Sequence, residues 1–70
     1  MNLEQFAKKA GVELVDVGPQ WGGGRLGYKE SDHPNSVVCG FRTSGGAYKH
    51  WLQSTFGKNT AKAVLKLLTP

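Results

Sequence analysis

The chain has 70 residues, enough for a single small domain over residues 1–70 with one core. Its single cysteine excludes an intramolecular disulfide, and no Cys and His cluster has metal-ligand spacing, so we expect packing alone to stabilise the fold, without metal or cofactor. No apolar run approaches the roughly 18 residues of a membrane span. The N-terminal residues also lack the apolar stretch of a secretory signal, which favours a cytoplasmic protein with no membrane partner.

The charge of the chain is unevenly distributed. Nine Lys and Arg residues outnumber five Asp and Glu residues, but the last acidic residue is Asp32. The cations that follow it without any balancing acid are Arg42, Lys49, Lys58, Lys62 and Lys66. A surface of one sign attracts polyanions, of which nucleic acid is the commonest. The distribution therefore favours nucleic-acid binding, and the alternative is that these cations only keep a small domain soluble.

The first two predicted elements are a helix and a strand. Asn2 is a suitable N-cap and Gly11 a suitable C-terminal stop for a short helix whose apolar face includes Leu3 and Phe6. Residues 12–17 then alternate between the two faces of an extended segment. We predict a strand there.

A loop and a hairpin follow. Three successive glycines exclude regular structure from residues 18–24, because glycine carries the largest backbone entropy and has no side chain to pack. Residues 25–30 predict a strand, and the turn formers of residues 31–36 connect it to a partner strand over residues 36–43. The side chains expected on one face of that partner strand are Val37, Cys39 and Phe41.

Residues 47–54 fit two structures. Alternation there is compatible with a third strand, while Tyr48, Trp51, Leu52 and Phe56 recur at helical spacing. We favour the strand, because the composition of residues 43–46 predicts a hairpin turn and aromatic residues favour sheets.

The final segment is predicted to be a helix over residues 57–68, packed on the sheet. Its apolar face would consist of Ala61, Val64, Leu65 and Leu68. The fold class is therefore α+β, with a short N-terminal helix, an antiparallel sheet of three or four strands, and a C-terminal helix on one face.

A row of lysines runs along that last helix. Lys58, Lys62 and Lys66 recur every four residues, so they share one stripe and would suit a track of phosphates. The alternative is an ordinary solvated helix face.

Two further features are candidates for nucleic-acid contact. Trp21 lies beside flexible glycines and is the best candidate for an exposed stacking ring, or else a lid over the sheet edge, whereas we expect Trp51 in the core. Arg25 follows residues 22–24, whose amides could approach a phosphate, although a flexible connection is the alternative.

Catalysis is not expected. Cys39 could in principle pair with His33 or His50, but no orienting acid is identifiable and a cysteine between Val and Phe is expected to be a small buried hydrophobe. A hydrolase or transferase would require Cys39 to be exposed and reactive.

Two family resemblances accompany these patterns. Trp51, Leu52, Thr55, Phe56, Thr60, Ala61 and Ala63 resemble the end of the third strand and the following helix in three-stranded DNA-binding domains, namely the arm-binding domains of phage-type tyrosine integrases and plant ethylene-response domains. The resemblance covers about residues 22–68. It implies a sheet that enters the major groove with Arg25, Lys29, Arg42 and Lys49 on its exposed face. The order helix, three strands, helix also resembles double-stranded-RNA-binding domains, which implies that Lys58 and Lys62 grip phosphates.

The sequence thus predicts a small non-enzymatic protein that binds nucleic acid, with duplex DNA favoured, as a regulatory or recombination accessory factor of a phage or mobile element. Phosphates would be bound by Arg42, Lys49, Lys58, Lys62 and Lys66, with Arg25 and Trp21 in a groove. The alternatives are double-stranded-RNA binding and a phage-type inhibitor or adaptor that binds an acidic protein surface.

Overall fold

The computed structural model describes residues 1–18 and 24–68. The described residues form helix α1 (Leu3–Lys9), strands β1 (Val12–Asp16), β2 (Leu26–Glu30) and β3 (His33–Phe41), and helices α2 (Ser44–Phe56) and α3 (Lys58–Leu67). Most of the segment predicted to be a loop, residues 19–23, lies outside the described residues, and so does Trp21.

Helix α1 begins with a reciprocal cap. The Asn2 side chain accepts a hydrogen bond from the Gln5 backbone N–H at 2.8 Å, and the Gln5 side chain accepts one from the Asn2 backbone N–H at 3.0 Å. Two of the amides left without partners at a helix start are thereby satisfied. The prediction of a short helix capped by Asn2 is confirmed.

The sheet is antiparallel and has the order β1-β2-β3. Its predicted hairpin is confirmed, with β3 beginning earlier than expected, at His33. One expectation is wrong: Phe41 does not share a face with Cys39. Gly40 is an extra residue in β3, with a φ of +102°, so that Cys39 pairs with Gly27 while Phe41 pairs with Leu26. The bulge turns Phe41 towards the helices, where its ring stacks on Tyr28.

Residues 47–54 are helical, which corrects the prediction of a third strand. The predicted hairpin turn is the start of α2, because the Thr43 hydroxyl accepts from the Gly46 N–H at 3.1 Å as an N-cap. Ala47, Tyr48, Trp51 and Leu52 are each at most 3% exposed. A strand would have placed these residues on two opposite faces, and one of those faces would be in water. The helix instead buries all four among the sheet, α1 and α3.

Helix α3 has the predicted apolar face, with Ala61 buried and Val64 and Leu65 packed against the core. It packs mainly against α2, and α2 with α1 covers the sheet, so α3 is the outermost element rather than a direct cover of the strands. Gly57 joins the two helices with a φ of +85°. The α+β class is confirmed. No helix in the described ranges has the length and apolar character needed to cross a membrane.

Candidate functional site

The cations of the first half of the chain are largely neutralised. Lys8 lies 3.3 Å from Glu4, Arg25 lies 3.7 Å from Asp16, and Lys29 lies 3.7 Å from Glu13. The last two pairs link β2, or the residue just before it, to β1, and they place accessible carboxylates beside the sheet's cations. These acids reduce the attraction of that surface for an anion.

The cations of the second half have no such partners. Arg42, Lys49, Lys58, Lys62 and Lys66 are all exposed, and no ion pair involves any of them within residues 1–18 and 24–68. Neither α2 nor α3 contains an acidic residue. We call the four lysines of α2 and α3 the lysine set: Lys49, Lys58, Lys62 and Lys66.

Three members of the lysine set form a stripe on α3. Lys58, Lys62 and Lys66 are spaced every four residues in a continuous helix, so successive ammonium groups are offset by about 6 Å along the axis. The stripe flanks the face formed by Ala61 and Val64. With no interleaved Glu, its charges repel one another, and an approaching anion would relieve that repulsion.

Lys49 belongs to α2 but lies close to the end of α3. It lines a pocket of about 350 Å³ whose wall also includes Leu65 and Leu68. The first residues of α1 and α2 complete the pocket: Asn2, Leu3, Glu4, Ser44, Gly45 and Tyr48. Lys49 is the cation of α2 in this lining, and α3 contributes apolar side chains to it rather than lysines.

Of the four cations that the integrase-like resemblance places on the sheet, Lys29 is the one that lies within a strand. Lys49 lies on α2, because residues 47–54 are helical, and Arg42 lies in the connection between β3 and α2. Arg25 and Lys29 are the cations beside or within β2, and both are paired with carboxylates. Sequence reasoning missed the role of Glu13 and Asp16, although alternation along β1 and β2 was a signal that oppositely charged residues could lie side by side.

Most described aromatic rings belong to the core. Trp51 is buried as predicted, and so are Tyr28 and Tyr48. Phe56, at 42% exposure, is the most open aromatic ring among the described residues, and it contacts Phe6 and Trp51. Base stacking on Tyr28, Tyr48 or Trp51 would therefore require the core to open, and Phe56 is the partly accessible ring.

Polar contacts connect α2 to the sheet. The Tyr28 hydroxyl is hydrogen-bonded to Nδ1 of His50 at 2.8 Å, and the Trp51 indole N–H donates to Oε1 of Glu30 at 2.8 Å. Burial raises the pKa of Tyr28 above its ordinary value, a hydrogen bond with Ser54 opposes that rise, and the charge of Glu30 adds to it. His50 is thus part of the packing between α2 and the sheet.

Cys39 is exposed on β3, which corrects the expectation of a buried hydrophobe. Its exposure meets one requirement of the thiol-enzyme alternative, but one of the two candidate imidazoles, that of His50, is bound to Tyr28. The described part of the chain contains no group of three or more His, Cys, Asp or Glu residues able to hold a metal ion.

Comparison of the chain with protein-family models, with curated proteins and with solved structures finds no match.

Proposed function

We propose that this chain is a non-enzymatic nucleic-acid-binding protein whose favoured target is duplex DNA. The observation that carries the proposal is the set of five exposed cations after Asp32, none of which has a carboxylate partner among the described residues. Unpaired ammonium and guanidinium groups retain their full attraction for phosphate, and their binding releases the counterions condensed on a nucleic acid.

A duplex fits this surface better than a single strand. Proteins that hold single strands combine a basic groove with aromatic rings on which bases stack. Here Tyr28, Tyr48 and Trp51 are buried. The described cations are therefore accompanied by few rings for stacking, and phosphate contact is the interaction that they can supply.

DNA is favoured over RNA by the position of α3. This helix is the outermost element of the fold and carries the stripe of Lys58, Lys62 and Lys66. The major groove of B-DNA is about 12 Å wide and admits an α-helix along its rim, whereas the major groove of duplex RNA is deep and narrow. A lysine stripe on a single exposed helix suits the DNA form. A regulatory or recombination accessory role would use such binding.

Fluorescence anisotropy tests this proposal directly. Labelled duplex DNA, duplex RNA and single-stranded DNA are titrated with the protein at about 50 and 200 mM salt. We expect saturable binding that is tightest for duplex DNA and weakens steeply with salt. Tighter binding to RNA would overturn the choice of DNA, and no binding to any of the three would overturn the proposal as a whole.

A second candidate is an inhibitor or adaptor that binds an acidic protein surface. Exposed apolar side chains of the kind that such a partner could cover favour it: Leu67 of α3, next to Lys66, is 84% exposed, and Val37 and Val38 of β3, on opposite faces of the strand, are 43% and 39% exposed. A labelled acidic peptide in the same anisotropy assay separates the two functions. Binding of this peptide in preference to every nucleic acid would favour the adaptor.

A further inference from the structure

We infer that the lysine set, and not the sheet, binds the duplex, and that it binds the phosphates without regard to base sequence. This inference rests on the proposed function and specifies its interface. It reverses the arrangement implied by the integrase-like resemblance, in which the exposed face of a sheet reads bases.

The sheet carries acids beside its cations. Glu13 and Asp16 have side chains that are 69% and 64% exposed, and they lie 3.7 Å from the charged groups of Lys29 and Arg25 respectively. A phosphate that approaches either cation also approaches an accessible carboxylate. Like-charge repulsion then offsets much of the attraction, so the sheet is a poor surface for a polyanion.

Helices α2 and α3 carry lysines without acids. Residues 44–67 contain no acid, and all four members of the lysine set are exposed. Attraction of a phosphate to Lys58, Lys62 and Lys66 is therefore not offset by any carboxylate of α2 or α3, whereas Lys49 shares a pocket with Glu4 of α1. Helical packing keeps Lys58, Lys62 and Lys66 in register along the surface.

Lysines suit contact with phosphates better than recognition of bases. The lysine ammonium is a compact point charge, whereas the planar guanidinium of arginine is the group best suited to form two hydrogen bonds with guanine. One of the two arginines, Arg25, is held beside Asp16, and the other, Arg42, lies before α2. Lysines bound to phosphates fix the position of a protein on a duplex but carry no sequence information.

The number of contacts sets a measurable salt dependence. If four or five cations each neutralise one phosphate, the slope of log K against log salt is about −3.6 to −4.5. Raising the salt from about 50 to 200 mM should then weaken binding by roughly 150- to 500-fold.

Two double variants of equal charge test the choice of surface. Lys58→Gln with Lys62→Gln removes two charges from α3, and Arg25→Gln with Lys29→Gln removes two from the sheet side. We expect the first variant to reduce the steepness of the salt slope by about 1.8 and the second to leave it unchanged. Circular dichroism of both confirms that they are folded.

The outcomes separate this inference from the proposed function. If the sheet variant loses as much affinity as the α3 variant while the wild-type protein binds DNA, the interface is wrong and the function stands. If the wild-type protein binds no nucleic acid, both fail.

The lack of base reading has its own test. Asn59 is an exposed amide beside the stripe, and asparagine is a side chain that can pair with adenine. Because we infer that the bases are not read, Asn59→Ala should leave the affinity for DNA unchanged. Duplexes rich in A·T and in G·C should bind within about threefold of each other, because loss of even one base contact would separate their affinities by more than that. A tenfold or larger preference, on the order of 1.4 kcal/mol, would show sequence reading and overturn this part of the inference.

Discussion

The indole N–H of Trp51 donates to Oε1 of Glu30 over 2.8 Å, joining α2 to β2 across the core. Trp51 is 3% exposed and its bond to Glu30 is partly buried, so its N–H has little access to bulk water. A buried donor without an acceptor is costly, and the carboxylate supplies a charge-assisted bond. This pair aligns the helix with the strand that it covers.

Replacement of Glu30 tests the importance of this bond. Glu30→Ala should lower the free energy of unfolding by about 1–3 kcal/mol, because the indole N–H is left buried without a partner. Glu30→Gln retains an acceptor oxygen and should cost less. Urea denaturation of the two variants and the wild-type protein measures both effects, and an equal loss in both variants would show that the charge, rather than the presence of an acceptor, is decisive.

The junction between α2 and α3 depends on glycine. Gly57 has a φ of +85° and a ψ of 160°, a region that is essentially restricted to glycine. Gly57→Ala should destabilise the protein by about 1–3 kcal/mol. Gly45→Ala is the matched control, since Gly45 lies in the first turn of α2 with open space where a Cβ would be. It should be neutral or stabilise the fold by up to about 1 kcal/mol. A similar loss of stability in both variants, measured by thermal unfolding, would contradict the role assigned to the junction.

Stability should fall at high pH. Burial raises the pKa of Tyr28 and of Tyr48 above the ordinary value of 10.0. The folded protein then holds these protons more tightly than the unfolded chain, so their contribution is fully present below about pH 10 and is lost as the pH rises through the folded-state values. Urea denaturation between about pH 8 and 11 should show the decline, and Tyr28→Phe should decline less steeply. An identical decline in the variant would assign the effect to other groups.

Replacement of Lys62 with glutamate should raise the stability of the fold and weaken its binding to DNA. Lys62→Glu replaces two repulsive pairs on α3 with attractive ones, to Lys58 and Lys66, and each should add a few tenths of a kcal/mol at low salt. The same change places a negative charge within the lysine stripe and should weaken DNA binding more than Lys62→Gln does. Thermal unfolding at low and high salt, together with anisotropy, measures both effects. A less stable variant, or one with unchanged affinity, would show that the stripe is incorrectly placed.

Local patterns were sufficient for several parts of this fold. The cap at Asn2, the alternation in β1 and β2, and the apolar face of α3 each depend on neighbours within one or two turns or on one strand, so the sequence alone predicts them. The spacing of Lys58, Lys62 and Lys66 likewise determines their common stripe, whatever α3 packs against.

Tertiary structure decided what these patterns left open. Residues 47–54 satisfy both a period of two and a period of 3.6, and only the simultaneous burial of Tyr48 and Trp51 in the core selects the helix. The neutralisation of Lys29 by Glu13 depends on the register of two strands that are separated along the chain, as does the pairing of Arg25 with Asp16. The absence of acids after Asp32, where five cations follow, can be read from the sequence alone. The pairing of the sheet's cations depends on strand register, because charges interact through space rather than along the chain. It leaves the lysines of α2 and α3 as the cations without paired carboxylates among the described residues.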